Sequence, residues 1–402
     1  MTQKQIAEKL FECARKLGNS QDKKINFIKL PSIINNLAKE IALKIYKPSR
    51  FHVFIVLDPK LREIFAPAFR DRLAQQWLIS LIEPIINKQF IDDNFANRKQ
   101  KGTHAAIKRA QYFMRKKDNT YYCQIDIQSF FPSIDRIVLL NIWKKWFLKL
   151  RYDSQTLLQI NYIAKQIIMQ SPISPYPIIS GKAELLSAIP KNKSLFYTKE
   201  SLGLPIGSLT SQFFSNLYLN ELDQYVKHKL KIKSYLRYVD DMMILGKNKK
   251  ELICQKNEID LFLHKNLHLS LHPNKTVLQR VKQGANFLGA IIFPYHTYPR
   301  ERQIKSLKVK IKFFNKLING DKLTIIDIPV GGVWKKYMNE EKCKLGNQSI
   351  KRKILSSINS YYGLFIHSKS YSLRKKIYFS MGELKEEIIP SNMNFTKFIA
   401  LK

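Results

Sequence analysis

Cysteine is scarce in this 402-residue chain: Cys13, Cys123, Cys254 and Cys343 are its only four. They lie far apart, with no CxxC pair and no histidine at zinc-ligand spacing, which argues against a disulfide framework and a structural zinc. Long apolar runs are also missing. No stretch reaches the roughly 18 apolar residues that a membrane span needs, and the N-terminal MTQKQIAEKLFECARKLG spreads charge along an amphipathic helix where a secretory leader has an unbroken apolar core. The expectation is a soluble, cytoplasmic protein with no membrane partner. Acid is the third shortage: 31 Asp+Glu face 69 Lys+Arg, leaving a formal +38 spread from end to end. Such a surface seeks a polyanion, most often nucleic acid, although a lysine-rich composition or a ribosome-associated factor would show the same excess. There is no internal repeat and no low-complexity linker, and 45% hydrophobic residues suffice to build cores.

Residues 1 to about 50 read as helical and basic, and Phe51 to Asp58 (FHVFIVLD) as a strand closed by a turn at Asp58-Pro59. From Lys60 to Gln89, Leu73, Trp77, Leu78, Leu81 and Ile82 fall at helical intervals in a pattern broken by Pro67 and Pro84. Residues 103 to 117 predict a helix capped by Thr103. YYCQIDIQSFF then alternates as a strand, with Tyr121, Cys123, Ile125 and Ile127 on one face and Asp126 within it. Residues 138 to 170 are helical, 171 to 200 irregular and proline-rich, either a partner surface or decoration. A helix from about Thr210 to Leu230 precedes the strand SYLRYVDDMMILG. After Arg300 the apolar stripe Ile304, Leu307, Ile311, Phe314 and Ile318 marks a helix whose lysines lie elsewhere around it.

The chemistry concentrates in three carboxylates. Asp126 sits in one strand, and Asp240 and Asp241 occupy a turn flanked by apolar strands. Carboxylates converging from adjacent strands are the donors that hold two divalent ions for nucleotidyl transfer, with the main-chain carbonyl of Ile127 as a further hard oxygen. An Asp-Asp pair alone is usually a solvated turn. The order carries the signal: a strand Asp with an aromatic five residues on, a glycine-containing loop opening a helix, then Tyr-x-Asp-Asp.

These segments resemble the A, B and C motifs of reverse transcriptases: QIDIQSFFPSID the first, GLPIGSLTSQFFSNLYLNELD the second and RYVDDMMIL the third. The likeness runs from about Asp58 to Tyr371. It implies an α+β right-hand polymerase fold with fingers, an antiparallel-sheet palm with helices and a helical thumb. The boundaries expected are an N-terminal helical extension over 1–57, fingers over 58–120, palm over 121–299 and thumb over 300–402. By resemblance Asp126, Asp240 and Asp241 are the catalytic carboxylates, holding two Mg²⁺ with Mn²⁺ as a substitute, Asp126 and Asp240 being the direct ligands. Phe131 stands where the family excludes a ribose 2′-hydroxyl by a ring, its neighbour Phe130 packing instead. Arg98, Lys99 and Lys101 correspond to the basic residues that hold the triphosphate, or form a solvated basic loop.

The loop Leu204-Pro205-Ile206-Gly207 and Gln212 match the segment under the incoming nucleotide, with Ile206 where most relatives have glutamine. LHLSLHPNKT resembles the fourth motif and nominates Lys275 as the acid that protonates pyrophosphate. ANFLGAIIF resembles the primer grip, at Phe287, Leu288 and Gly289. Lys305, Lys308 and Lys312 of the thumb are expected on the nucleic-acid backbone. PKLREIFAPAFRDRLAQQWLISLIEPI is similar to the extra segment of group II intron-like bacterial enzymes. Ile206-Gly207 and Ser211-Gln212 match the I-G-x-x-x-S-Q pattern of diversity-generating retroelement enzymes, from which Ser208 departs where asparagine is expected. That subgroup implies a template RNA copied with errors at adenines, deoxynucleotides, a cDNA product and a small basic accessory protein. Antiphage defence reverse transcriptases, which copy a structured non-coding RNA and in some cases oligomerise, share the architecture, and an RNA-binding maturase-like scaffold is the non-enzymatic alternative. No endonuclease motif or RNase H-like set of four carboxylates is visible, so priming is expected from the template RNA or a protein hydroxyl.

Overall fold

The computed structural model describes residues 1–17, 28–57, 60–181, 183–319 and 348–401. The turn expected at Asp58-Pro59 lies outside them. The chain divides into two units, one of residues 1–56, 62–106 and 122–278, the other of 57–61, 107–121 and 279–402. The palm expected over 121–299 is therefore shared between them.

In the first unit, Thr2 opens the helix Gln3–Lys16 with a capping box, its hydroxyl accepting from the Gln5 amide and its own amide donating to the Gln5 side chain. The helix buries Ile6, Leu10 and Ala14, packing on helices Leu30–Leu43 and Phe69–Ile86. The last of these begins only at Phe69, because residues 62–66, read above as part of a helical pattern, form a strand. Strands β1 (His52–Val56) and β2 (Arg62–Ala66) pair antiparallel. Pro67 ends β2, since proline cannot donate to a continuing ladder. Pro84 is tolerated inside the last turns of Phe69–Ile86, whose buried Leu73, Trp77, Leu78 and Ile82 each contribute about 1.5–3 kcal/mol by leaving water.

Within the proline-rich 171–200 segment β4 (Ile178–Ile179) adds to β1 in parallel. Nearby, buried Glu63 of β2 accepts from the Ser194 hydroxyl (2.8 Å) and the Leu195 amide. Burial raises the Glu63 pKa, against the lowering pull of those two donors.

The expected helix over 138–170 is two, Arg136–Phe147 and Ser154–Met169, capped by Asp135 and Asp153. At the centre, helix Leu209–Gln224 is buried on nearly every face and continues as one π-helical turn over Tyr225–Lys229. It backs the sheet β5-β6-β3-β7, made of Tyr235–Tyr238, Asp241–Gly246, Tyr121–Asp126 and Val277–Arg280. β3 stops at Asp126, so the strand expected to run through Phe131 instead turns at Ser129 (φ 47°) into a helical turn over Phe130–Ser133.

The second unit holds the sheet β8-β9-β10 (Ala285–Phe287, Ala290–Ile292, Thr297–Pro299) and helices Glu301–Asn319, Gln348–Phe365 and Tyr371–Phe379. A two-stranded pairing of β11 (Ile388–Pro390) with β12 (Phe398–Ala400) follows. Leu307, Ile311 and Phe314 join Ile358, Tyr362 and Phe398 in its core, with Ile304 and Ile318 at the margin. Among the described residues no helix is long and apolar enough to cross a membrane.

Candidate active site

β5 and β6 form a tight hairpin in which Tyr238 pairs with Asp241, leaving Val239 and Asp240 as the two loop residues. Two-residue hairpins favour positive φ at the first loop position, a place suited to glycine. Here it is Val239, at φ 55°. A β-branched residue in that region carries strain on the order of 1–3 kcal/mol and persists only where its surroundings hold it.

What holds it is Arg237, a residue the sequence reading did not single out. Its guanidinium is fully buried and donates from Nη1 to the Val239 carbonyl (2.9 Å) and Asn216 Oδ1 (3.2 Å). Nε and Nη2 reach the two oxygens of Asp223 at 2.8 and 2.6 Å, and Tyr235 donates to the same carboxylate at 2.7 Å. The central helix thus clamps the turn that presents Asp240. An arginine beside Tyr-x-Asp-Asp and an Asp at the end of the preceding helix were the available signals.

Asp126, at the end of β3 beside β6, brings its carboxyl within hydrogen-bonding reach of Asp240. Burial, then the charge of Asp126, then that of Asp241, push the Asp240 carboxyl up to about 7. Lys275 answers part of this excess, its ammonium contacting Asp126 Oδ2. The pairing of Ile127 with Leu271 uses the Gln128 amide and the Asp126 carbonyl, donating to Ser270 and accepting from His272. The Ile127 carbonyl consequently points to the opposite edge, the side of β6.

Among the described residues no group of three or more His, Cys, Asp or Glu side chains forms a metal cage. The donor set still fits Mg²⁺, which usually takes one or two carboxylates and fills its octahedron with water and substrate phosphates. Two carboxylates facing each other, one with a raised pKa, are a place where a cation is stabilised. Asp126 and Asp240 are the side chains that could hold it.

The remaining expected residues separate into several cases. Phe130 is buried and Phe131 partly exposed, but on a helical turn and not on opposite faces of a strand. Arg98 requires correction as a triphosphate ligand. Its guanidinium donates to the carbonyls of Ile91 (2.8 Å), Asn94 (2.9 Å) and Asn87 (3.1 Å), and burial lowers its pKa. It clamps the loop that the sequence suggested it would project from. Lys101 is engaged with Asp92 at 2.6 Å, whereas Lys99 is exposed. Thr103 is the first residue of helix Thr103–Met114, not its cap, and its hydroxyl lies 3.3 Å from that of Tyr238.

Gly207 has φ 119°, and an added Cβ would lie 2.7 Å from Ile64 Cγ2 and 2.9 Å from the Phe65 carbonyl. The adjacent Ile206 carbonyl accepts from the Phe65 amide at 2.7 Å. The close approach that demands glycine is therefore to β2. Gly207→Ala is expected to lower stability by about 1–3 kcal/mol, measured as a fall in the midpoint of urea unfolding. Gln212 is exposed on the central helix.

In the second unit Leu288 (φ 46°) and Gly289 (φ 89°) make the two-residue turn between β8 and β9, while Phe287 is fully buried and packs in place of facing a strand of nucleic acid. Lys305, Lys308 and Lys312 share the exposed face of Glu301–Asn319, with Lys305 paired to Glu301 at 2.8 Å.

Comparison with known proteins bears on the family of the chain. Residues 47–292 match the family described as reverse transcriptase (RNA-dependent DNA polymerase). The group II intron-encoded protein LtrA of Lactococcus lactis subsp. cremoris is 24% identical over 65% of this chain and 48% of its own length. Protein YkfC of Escherichia coli K12 is 23% identical over 57% and 62%. The chain thus spans about half the length of LtrA. Solved structures that align with it include telomerase from Candida albicans (TM-score 0.43, 13% identity, 87% of this chain and 61% of that one) and the Sicinivirus 3Dpol RNA-dependent RNA polymerase (TM-score 0.43, 13%, 68% and 58%). With a match over more than half of its length, this α+β chain belongs to the reverse transcriptase family.

Proposed function

We propose that the chain is an RNA-directed DNA polymerase whose active site is the meeting of Asp126 and Asp240, with Asp241 and the Ile127 carbonyl completing the ligand field. The observation that carries this is the approach of the carboxyl at the end of β3 to the one in the β5–β6 turn, a strained turn held by a buried arginine. Two Mg²⁺ ions bound there would lower the pKa of the primer hydroxyl and neutralise the leaving pyrophosphate. Lys275, resting on Asp126, is positioned to hold a proton for the departing group once its carboxylate partner is otherwise engaged. Phe131 stands over the sugar and excludes a 2′-hydroxyl by its bulk. Lys99 and Gln212, both exposed, contact the nucleotide, and Leu288 and Gly289 contact the primer. The lysine face of Glu301–Asn319 follows the backbone by phosphate contacts that weaken with salt.

The template we assign is RNA, copied with low fidelity in the manner of diversity-generating retroelements. Ile206 supports this: its carbonyl is fixed to β2 and its apolar side chain offers the nucleotide no hydrogen bond. An accessory protein or a second copy of the chain would complete the assembly. Sequencing the cDNA made from co-purifying RNA tests the assignment. Substitutions concentrated at template adenines are the expected result. A faithful or repetitive product from a compact RNA would move the role to phage defence.

A further inference from the structure

Between β9 and β10 the loop 293–296 presents Tyr295 with 82% of its surface exposed, the highest exposure of any aromatic side chain among the described residues. A single exposed ring is ordinary; its setting is not. The loop is held rigid from outside: Gln111 Nε2 donates to the carbonyls of Phe293 (2.8 Å) and His296 (3.2 Å), and Arg115 Nη1 to that of Pro294 (2.7 Å). The Phe293 and His296 rings of the same loop stack on each other, with centroids 4.8 Å apart and planes 21° apart. The Arg115 guanidinium lies 5.8 Å from the Tyr295 centroid.

Beside the ring opens a cleft of about 460 Å³, shared by Gln111, Tyr295, His296, His367 and Lys369. Its far wall is fixed to β10, the Thr297 hydroxyl donating to the His367 carbonyl (3.1 Å) and the Lys369 amide to the Thr297 carbonyl (2.8 Å). Among the described residues no acidic side chain lines the cleft. An exposed ring on an anchored loop, flanked by an arginine, a lysine and two histidines, is the chemistry that receives an unpaired base on its face and a phosphate at its edge.

We propose that this cleft is a binding site for one nucleotide of a single-stranded nucleic acid, the base stacked on Tyr295 and the adjoining phosphate met by Lys369 and Arg115. The proposal rests on reading the chain as a nucleic-acid enzyme, but the site belongs to the second unit and contains none of the catalytic carboxylates. The anchored loop matters to the site, because its main chain loses little freedom on binding.

Single-stranded oligonucleotides of one sequence, made as RNA and as DNA, test it by fluorescence anisotropy across a salt series. Tyr295→Ala should weaken binding about 5- to 100-fold, the loss of one stacked base, with the salt slope unchanged, whereas Tyr295→Phe should bind as the parent does. Lys369→Ala should lower the slope by about one. A strand carrying 5-iodouracil should cross-link to the peptide containing Tyr295. Loss with RNA alone assigns the site to the template, and loss with DNA alone to the product. Parental affinity in Tyr295→Ala with no cross-link in that peptide overturns the proposal. DNA synthesis measured on the same preparation separates the two readings: synthesis with no Tyr295 effect sinks only the cleft, and a Tyr295 effect without synthesis sinks only the polymerase.

Discussion

Asp240→Asn is expected to lower cDNA synthesis by roughly 10³-fold or more, about 4 kcal/mol of transition-state stabilisation, while leaving affinity for RNA unchanged. The substitution keeps the shape of the side chain and removes the charge that a divalent ion needs. Its effect on stability should have the opposite sign. In metal-free buffer burial and the charges of Asp126 and Asp241 hold a proton on Asp240 up to about pH 7, above the ordinary carboxylate range. As pH rises from about 4 to 7 the unfolded chain releases that proton and the folded chain retains it, so stability falls over this window. Asparagine has no proton to lose. Above pH 7 the variant should therefore melt at or above the parent's temperature in EDTA, by calorimetry, while being inactive in Mg²⁺. Equal loss of RNA binding and synthesis would place Asp240 in the scaffold and not in the chemistry.

The second large effect falls on a residue that touches no substrate. Arg237→Met leaves Asp223 as a buried carboxylate without its cation, which typically costs about 3–5 kcal/mol. It also frees the Val239 carbonyl, so the strained turn is no longer held. Chemical denaturation should show the full loss. Synthesis should fall further than the folded fraction accounts for, because Asp240 is no longer presented at one position. The double variant Arg237→Met with Asp223→Leu should recover much of the stability, since removing both charges removes the unpaired one, but not the activity. Recovery of both would mean that the clamp serves the fold alone.

These two residues mark what was legible in the sequence. Asp126, Asp240 and Asp241 stood out by the order of their segments along the chain, and the fold sets Asp126, at the end of β3, beside the turn that carries Asp240. Arg237 lies one residue before the same turn and was passed over. A strand arginine in a chain of 69 basic residues reads as surface, and its burial makes sense only once Asp223, fourteen positions earlier, lies under it. Arg98 shows the converse error. The family resemblance implied phosphate binding, yet the local chain folds its own carbonyls onto the guanidinium. β2 was missed because five residues ending at a proline, directly before a strongly periodic helix, were absorbed into that helix's pattern. Gly207 was matched to the segment under the incoming nucleotide, and the backbone its missing Cβ makes room for is Phe65 of that missed strand. Local periodicity found the elements; which polar groups they consume internally depended on contacts far apart in the chain.

The most direct test of the central claim is extension of a DNA primer annealed to a defined RNA template by the purified chain in Mg²⁺, with deoxynucleotides or ribonucleotides supplied separately. Full templated extension with deoxynucleotides, and little with ribonucleotides, is the result this account requires. No extension by a folded, RNA-binding preparation, on this template or on the RNA that co-purifies with it, would contradict it.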